Sequence, residues 1–269
     1  MGKLDGKVAI ITGAGAGIAK STALLFAKEG ARVGVLELNR DAGAATEKAI
    51  RDAGGEGIFV ETDVTNDDAM KRAVETVVGK YGRLDVMMNC AGGSLQEDVP
   101  VHEMDLAIWQ RTIALNLLHP FLACRHGIPH MIKGGGGSII NFGSWLGQVG
   151  SQKPAYAAAK SGIGGFTKTI AAEYADRGIR CNAIAPGVVR TERSVKRWEN
   201  KEWLLAEKPT AAARARAGLQ KNYPFSVGEP ENIATIALFL ACEDSRMVTG
   251  IMIPADGGRS SYLKMYVEE

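Results

Sequence analysis

A recurrence limits what this chain can fold into more than any other feature. Short, almost uninterrupted apolar runs alternate with longer segments of helical period. The runs are KVAIIT (7–12), ARVGVLEL (31–38), GIFVETDV (57–64), RLDVMMNCAG (83–92), SIINFG (138–143), GIRCNAIAPG (178–187) and TGIMIPADGG (249–258). Between them, apolar spacing predicts helices over Ile18–Gly30, Arg40–Ala53 and Asp67–Tyr81, two segments within 103–132, one over about 155–176, and one over Glu231–Leu240. Strands apolar on both sides must be covered on both faces, which calls for a parallel sheet with helices above and below. The expected fold class is α/β, a doubly wound parallel sheet of about seven strands.

No linker or low-complexity segment divides the 269 residues, so a single domain over 1–269 is expected. The one irregular block, about 190–225, carries Trp, Pro and charge without a core of its own, and is expected to form a substrate flap. A net charge of +2 and a pI near 8.3 give no reason to expect nucleic acid or a membrane surface as partner. The apolar run Val8–Ile11 is too short for a signal-peptide core, and no stretch reaches the ~18 apolar residues of a membrane span. Cys90, Cys124, Cys181 and Cys242 lie far apart with no CxxC pair, which argues for reduced thiols, against a metal centre, and for a soluble cytoplasmic protein.

TGAGAGIAKS (12–21) follows the first run, at the strand end where open α/β sheets bind ligands. It misses the G-x-G-x-x-G fingerprint because residue 18 is Ile, and misses the P-loop because Ala19 precedes Lys20-Ser21. Alone it could be a plain tight turn. Glu37 ends the second run, 24 residues after Gly13, where an acid can hold adenosine ribose hydroxyls or simply face solvent. An acid there repels a 2′-phosphate, and no Arg or Lys stands among Gly13–Ala19 or at Leu38, so a dinucleotide at this end would be NAD rather than NADP. Further on, YAAAK sets Tyr156 and Lys160 four apart on one helix face. A phenol titrates near ~10 and serves as an acid/base at neutral pH only beside a cation; Lys160 would be that cation, or the two are a surface pair. Ser144 lies twelve residues before Tyr156, NCAG (89–92) ends an earlier strand, and Asn116 lies within LNLL.

Taken in order, TGAGAGIA, Asp63-Val64, NCAG, Asn116, Ser144, YAAAK and PGVVRT (186–191) make the chain resemble the classical short-chain dehydrogenase/reductase family from Lys7 to Gly258. The resemblance implies a Rossmann-like fold and an NAD(H)-dependent oxidoreductase that interconverts a secondary alcohol and a ketone. It implies that Gly13, Gly15, Gly17 and Ile18 wrap the cofactor diphosphate, with Glu37 and Leu38 at the adenosine ribose and Asp63 and Val64 at the adenine. Asn89 would brace the central strand, with Ala91 and Gly92 beside the cofactor ribose. Pro186, Gly187, Val188, Val189 and Thr191 would cover the carboxamide. Ser144 would bind the substrate oxygen and Tyr156 would be the acid/base. Lys160 would bind the nicotinamide ribose and lower the Tyr156 pKa, and Asn116 would hold a water of the proton relay. Cys90 stands where the family usually has a second Asn, and reads as a small inert thiol. Ala19 replaces the last family glycine, at a helix–strand contact that tolerates alanine.

Substrate walls are expected at Gly93–Val99, with Gly93 and Ser94 foremost, at Trp145–Lys153, and in the flap, with Trp198. Between Arg190 and Lys221 nine Lys/Arg face four Asp/Glu, which suits an anionic substrate or a solvated helical surface. A small-molecule alcohol or ketone is preferred over a 3-oxoacyl thioester on a carrier protein or CoA. Enzymes that reduce such thioesters mostly use NADP and show basic residues after the catalytic tyrosine, where this chain reads TIAAEYA (169–175). A catalytically silent NAD-binding regulator would lack Ser, Tyr or Lys, and all three are present. Family membership also implies a homotetramer, and the apolar content of the tail after Gly258 suggests a subunit contact there.

Overall fold

A computed structural model describes residues 2–199, 225 and 227–261, without the side chains of 197–199. Seven strands form one sheet: β1 (Val8–Thr12), β2 (Arg32–Glu37), β3 (Glu56–Glu61), β4 (Val86–Asn89), β5 (Gly137–Phe142), β6 (Ile179–Pro186) and β9 (Met252–Ala255). Its order is β3-β2-β1-β4-β5-β6-β9, parallel at every pairing. The helices are α1 (Gly17–Lys28), α2 (Arg40–Asp52), α3 (Asp67–Tyr81), α4 (Leu106–Ile113), α5 (His119–Lys133), α6 (Pro154–Glu173), α7 (Glu192–Glu199) and α8 (Pro230–Ala241). A two-residue strand β7 (Val188–Val189) pairs with β8 (Val227–Gly228) apart from the main sheet.

Side chains alternate across each strand, and this divides the apolar runs between two cores. Ala9, Ile11, Val33, Val35, Met88 and Ile140 face α1 and α8, whereas Val8, Ile10, Leu36, Met87 and Ile139 face α3, α5 and the end of α6. Ala19 is buried in the first core, where its methyl packs on the sheet.

Expected and observed elements differ mainly at the ends. The fourth run yields only Val86–Asn89, because Asp85 is taken by the β1 backbone and Arg83, and the glycines after Asn89 leave the sheet. The helical segments within 103–132 form one rod, α4 to α5, joined by a π-turn at Ala114–Leu118. Chain order reverses between β1, which leads outward through β2 and β3, and β4, which starts the other half. The carboxyl ends of β1 and β4 therefore open the crevice in which such sheets bind ligands.

Candidate active site

The turn after β1 is fixed by backbone demands. Gly13 has φ +70°, and a Cβ there would meet the Ala91 Cα at 2.9 Å, so the β1 and β4 loops touch at this glycine. Thr12 ties them together: its Oγ1 accepts from the N–H of Cys90 (3.0 Å) and Ala91 (3.1 Å). With both acceptor positions filled, its hydroxyl proton faces the Met88 carbonyl at 3.4 Å and Nε2 of buried His119 at 2.9 Å. Burial, with the Lys160 charge, holds the His119 pKa down at about 3, so the ring is neutral.

Glu37 stands at the end of β2 as the sequence predicts. Its Oε2 accepts from Gly15 N–H at 3.0 Å, and its Oε1 from Leu38 and Asn39 N–H at 2.9 and 3.0 Å. A carboxylate offers about four acceptor positions, so an acceptor remains for a hydroxyl. Val64 is buried in the second core, and the Asp63 carboxylate holds the backbone and hydroxyl of Thr65. Gly17 and Ile18 open α1. The Gly17 N–H, one of the unpaired donors of a helix start, is met at 3.2 Å by the Glu192 carboxylate of α7. A Cβ on Gly17 would lie 3.0 Å from Thr191 Cγ2, so α7 begins directly over this helix end. Pro186 closes β6, Gly187 donates to the Ala255 carbonyl, and Val188 and Val189 form β7.

In the other half, Asn89 Nδ2 donates to Asn141 Oδ1 at 2.9 Å, which joins β4 to β5. Asn116 lies in the π-turn with its side chain committed: Nδ2 donates to Thr112 and Gly93 carbonyls, and Oδ1 accepts from Gly93 N–H at 2.9 Å. This side chain pins the loop after β4. Ser144 caps a short turn, its Oγ accepting from Leu146 N–H at 3.2 Å, and lies near enough to the Tyr156 phenol to lower its pKa. Tyr156 is set by the start of α6, where buried Asp98 accepts from the N–H of Ala155 (3.2 Å) and Tyr156 (3.0 Å). Lys160, one turn on, donates to the Phe142 carbonyl at 2.7 Å, with its ammonium 5.8 Å from the Tyr156 ring centroid.

Charge balance at the phenol differs from the expectation. Burial raises the Tyr156 pKa above its ordinary 10, while the Ser144 hydroxyl and the Arg193 charge oppose that rise. Lys160 sits beside the ring, and burial pushes its own pKa down to about 8. Cys90, expected to be inert, has its thiol pushed up to about 12 by desolvation, and all four cysteines are free.

Gly93 and Ser94 lie in the loop after β4 and Trp145 in the short turn after β5; Arg259 lies over the Trp145 ring at 5.6 Å. The side chain of Trp198, and the flap and tail residues 200–224 and 262–269, lie outside the described residues. Sequence reasoning missed His119 and named Asp98, Glu192 and Arg193 only as parts of the expected wall 93–99 and the basic block from Arg190. The glycine cradle at Gly13 and Gly17, the acid ending β2 and a Ser–Tyr–Lys cluster beyond β5 together fit a nicotinamide dinucleotide.

The model of the short chain dehydrogenase family matches residues 7–202. A cyclohexanol dehydrogenase of Acinetobacter sp. is 36% identical, over 96% of this chain and 97% of its own. A 3-oxoacyl-(acyl-carrier-protein) reductase of Thermotoga maritima is 39% identical, over 95% and 98%. The solved 7α-hydroxysteroid dehydrogenase, in complex with NADH and 7-oxo glycochenodeoxycholic acid, superposes with a TM-score of 0.83 at 31% identity, over 95% of each chain. This chain belongs to the short-chain dehydrogenase/reductase family. It is thus an oxidoreductase of a family that typically binds a nicotinamide cofactor.

Proposed function

We propose that this protein is a cytoplasmic NAD(H)-dependent oxidoreductase that interconverts a secondary alcohol and a ketone on a small free molecule, with Tyr156 as the acid/base. The observation that carries the reading is the Tyr156 phenol, set beside Ser144 and one helical turn from the buried Lys160 ammonium. A nicotinamide held at the crevice between β1 and β4 would supply hydride exchange with the substrate carbon. Ser144 takes the Leu146 N–H on a lone pair, which leaves its proton for the phenol or, with substrate bound, for the substrate oxygen. Burial keeps Tyr156 protonated, which suits it to deliver that proton to the alkoxide as it forms. Lys160 holds positive charge beneath the phenol, steadying the phenolate left behind.

Glu37 supports NAD. Two unit charges 4 Å apart near a surface repel by roughly 4 kcal/mol, so a 2′-phosphate there is disfavoured. A second reading, a 3-oxoacyl-thioester reductase, is favoured by the 39% identity to the Thermotoga reductase. The last turns of α6 carry Ala171 and Ala172 and no Arg, which weighs against docking of an acidic carrier protein. Large apolar side chains exposed along α4 and α5, namely Leu106, Trp109, Leu118 and Phe121, support assembly as a homotetramer.

The deciding experiment is NADH oxidation across a panel of ring and chain ketones and one 3-oxoacyl thioester. Tyr156→Phe should cut turnover at least about a hundredfold while NADH binding stays within about twofold. Turnover that survives Tyr156→Phe would remove the tyrosine from the mechanism, and turnover of the thioester alone would select the second reading.

A further inference from the structure

Arg193, second residue of α7, is exposed and lies across the loop that follows β4. Its Nη2 donates to the Ser94 carbonyl at 2.7 Å and its Nη1 to the Gly92 carbonyl at 3.5 Å. Any Cβ on Gly93 would collide with the same guanidinium. Asn116 and Lys160 approach this loop as well: the amide Oδ1 lies 2.7 Å, and the ammonium 3.5 Å, from where a Cβ on Gly92 would stand. Two cations therefore meet one loop, Lys160 buried and Arg193 exposed. The guanidinium is near enough to the phenol of Tyr156 to oppose the rise in its pKa that burial causes.

Carbonyl oxygens orient a guanidinium without neutralising it. Among the described residues Arg193 has no carboxylate within ion-pair distance, a state it shares with Arg32, Arg40, Arg72, Arg111, Arg180 and Arg246; what sets it apart is its place over the loop beside Tyr156. Two of its N–H groups are used, and a guanidinium carries five, in a fork that matches a carboxylate. We propose that Arg193 recognises an anionic substituent of the substrate, so that the enzyme acts on hydroxy or oxo carboxylates in preference to neutral alcohols and ketones. This rests on the dehydrogenase reading of Ser144, Tyr156 and Lys160. The cofactor diphosphate is the competing anion, but α7 meets the α1 start through Thr191 and Glu192, while Arg193 is directed at Gly92, Ser94 and the phenol.

Three probes share one ring: cyclohexanone, 4-oxocyclohexanecarboxylate and 4-oxocyclohexanecarboxamide. The expected result is a preference for the carboxylate over the carboxamide of at least roughly tenfold in kcat/KM. Arg193→Gln should erase it, chiefly through KM, and Arg193→Lys should restore part of it, with the NADH dissociation constant unchanged in both. An equal loss on all three probes, no loss on any, or weaker NADH binding would assign Arg193 to the loop, to no role, or to the diphosphate, and each overturns the proposal. If NADH binds and no ring ketone is reduced, the dehydrogenase reading fails for this class. The anion site is then judged by saturation-transfer NMR of 4-oxocyclohexanecarboxylate on the NADH complex. Binding that is lost in Arg193→Gln supports it; binding that is absent, or indifferent to the substitution, refutes it.

Discussion

Lys160 has its ammonium in the interior and one carbonyl as partner, so its proton is held less tightly than in water. Between its folded value of about 8 and the ordinary 10.5, the unfolded chain keeps a proton here that the folded chain has released. Stability contributed by this site therefore rises with pH across that window, as the cost of the buried charge is relieved. The buried thiols titrate with the opposite sign, so the test is a difference: from pH 8 to pH 10 the urea midpoint of the wild type should gain on that of Lys160→Met, and an identical pH response in both would refute the desolvation account. Glu37 gives a second test at this scale. Glu37→Ser removes the repulsion of a 2′-phosphate, and the ratio of kcat/KM for NADH over NADPH should fall at least about tenfold. An unchanged ratio would place selectivity elsewhere.

Among elements, α7 does the most that local sequence did not disclose. Its first residue sets a carboxylate against the Gly17 N–H, at the positive end of α1. An incoming diphosphate must share that helix end with Glu192, and the two negative charges repel. Neutralising the side chain in Glu192→Gln should tighten NADH binding about two- to fivefold, the equivalent of 0.3–1 kcal/mol at a helix terminus. Isothermal titration would measure it, and a weaker or equal affinity would mean that Glu192 helps, or ignores, the cofactor. The five inner strands of the sheet were legible because burial on both faces writes itself as an apolar run; the edge strands β3 and β9 are only part-buried. The Ser–Tyr–Lys set was legible because four-residue spacing on a helix is a local fact. By contrast, Asp98 caps α6 from 57 residues away and His119 meets Thr12 across 107, contacts that no local pattern encodes. The π-turn at 114–118 takes up an extra residue and shifts the apolar stripe, which is why two separate helices were expected where one rod runs through.

For the whole molecule, the rod α4–α5 leaves Trp109 and Phe121 exposed among polar surroundings. A homotetramer that covers them would be sensitive to charge there. Phe121→Glu should lower the mass seen by light scattering toward that of a single chain, with far-UV circular dichroism unchanged; a wild type already running as a monomer would refute the assembly. Acid sensitivity belongs to this scale too. His119 is neutral in the fold and titrates only near 3, while a histidine in the unfolded chain takes up its proton near 6.5. As pH falls through that interval the unfolded state gains a proton that the native state refuses, so stability declines toward pH 3.

The four free thiols also make the protein its own clock. Cys181 is at the centre of β6 and Cys124 within α5; both are buried, and their thiols are raised, so neither is a nucleophile while the sheet is closed. An alkylating reagent can mark them only during excursions that part α5 and α6 from the strands, so their labelling rates time those openings. Cys90, half-buried at the end of β4, samples instead the local breathing of the catalytic loop. Comparing the marks at these three positions would separate loop motion from global unfolding without any added dye.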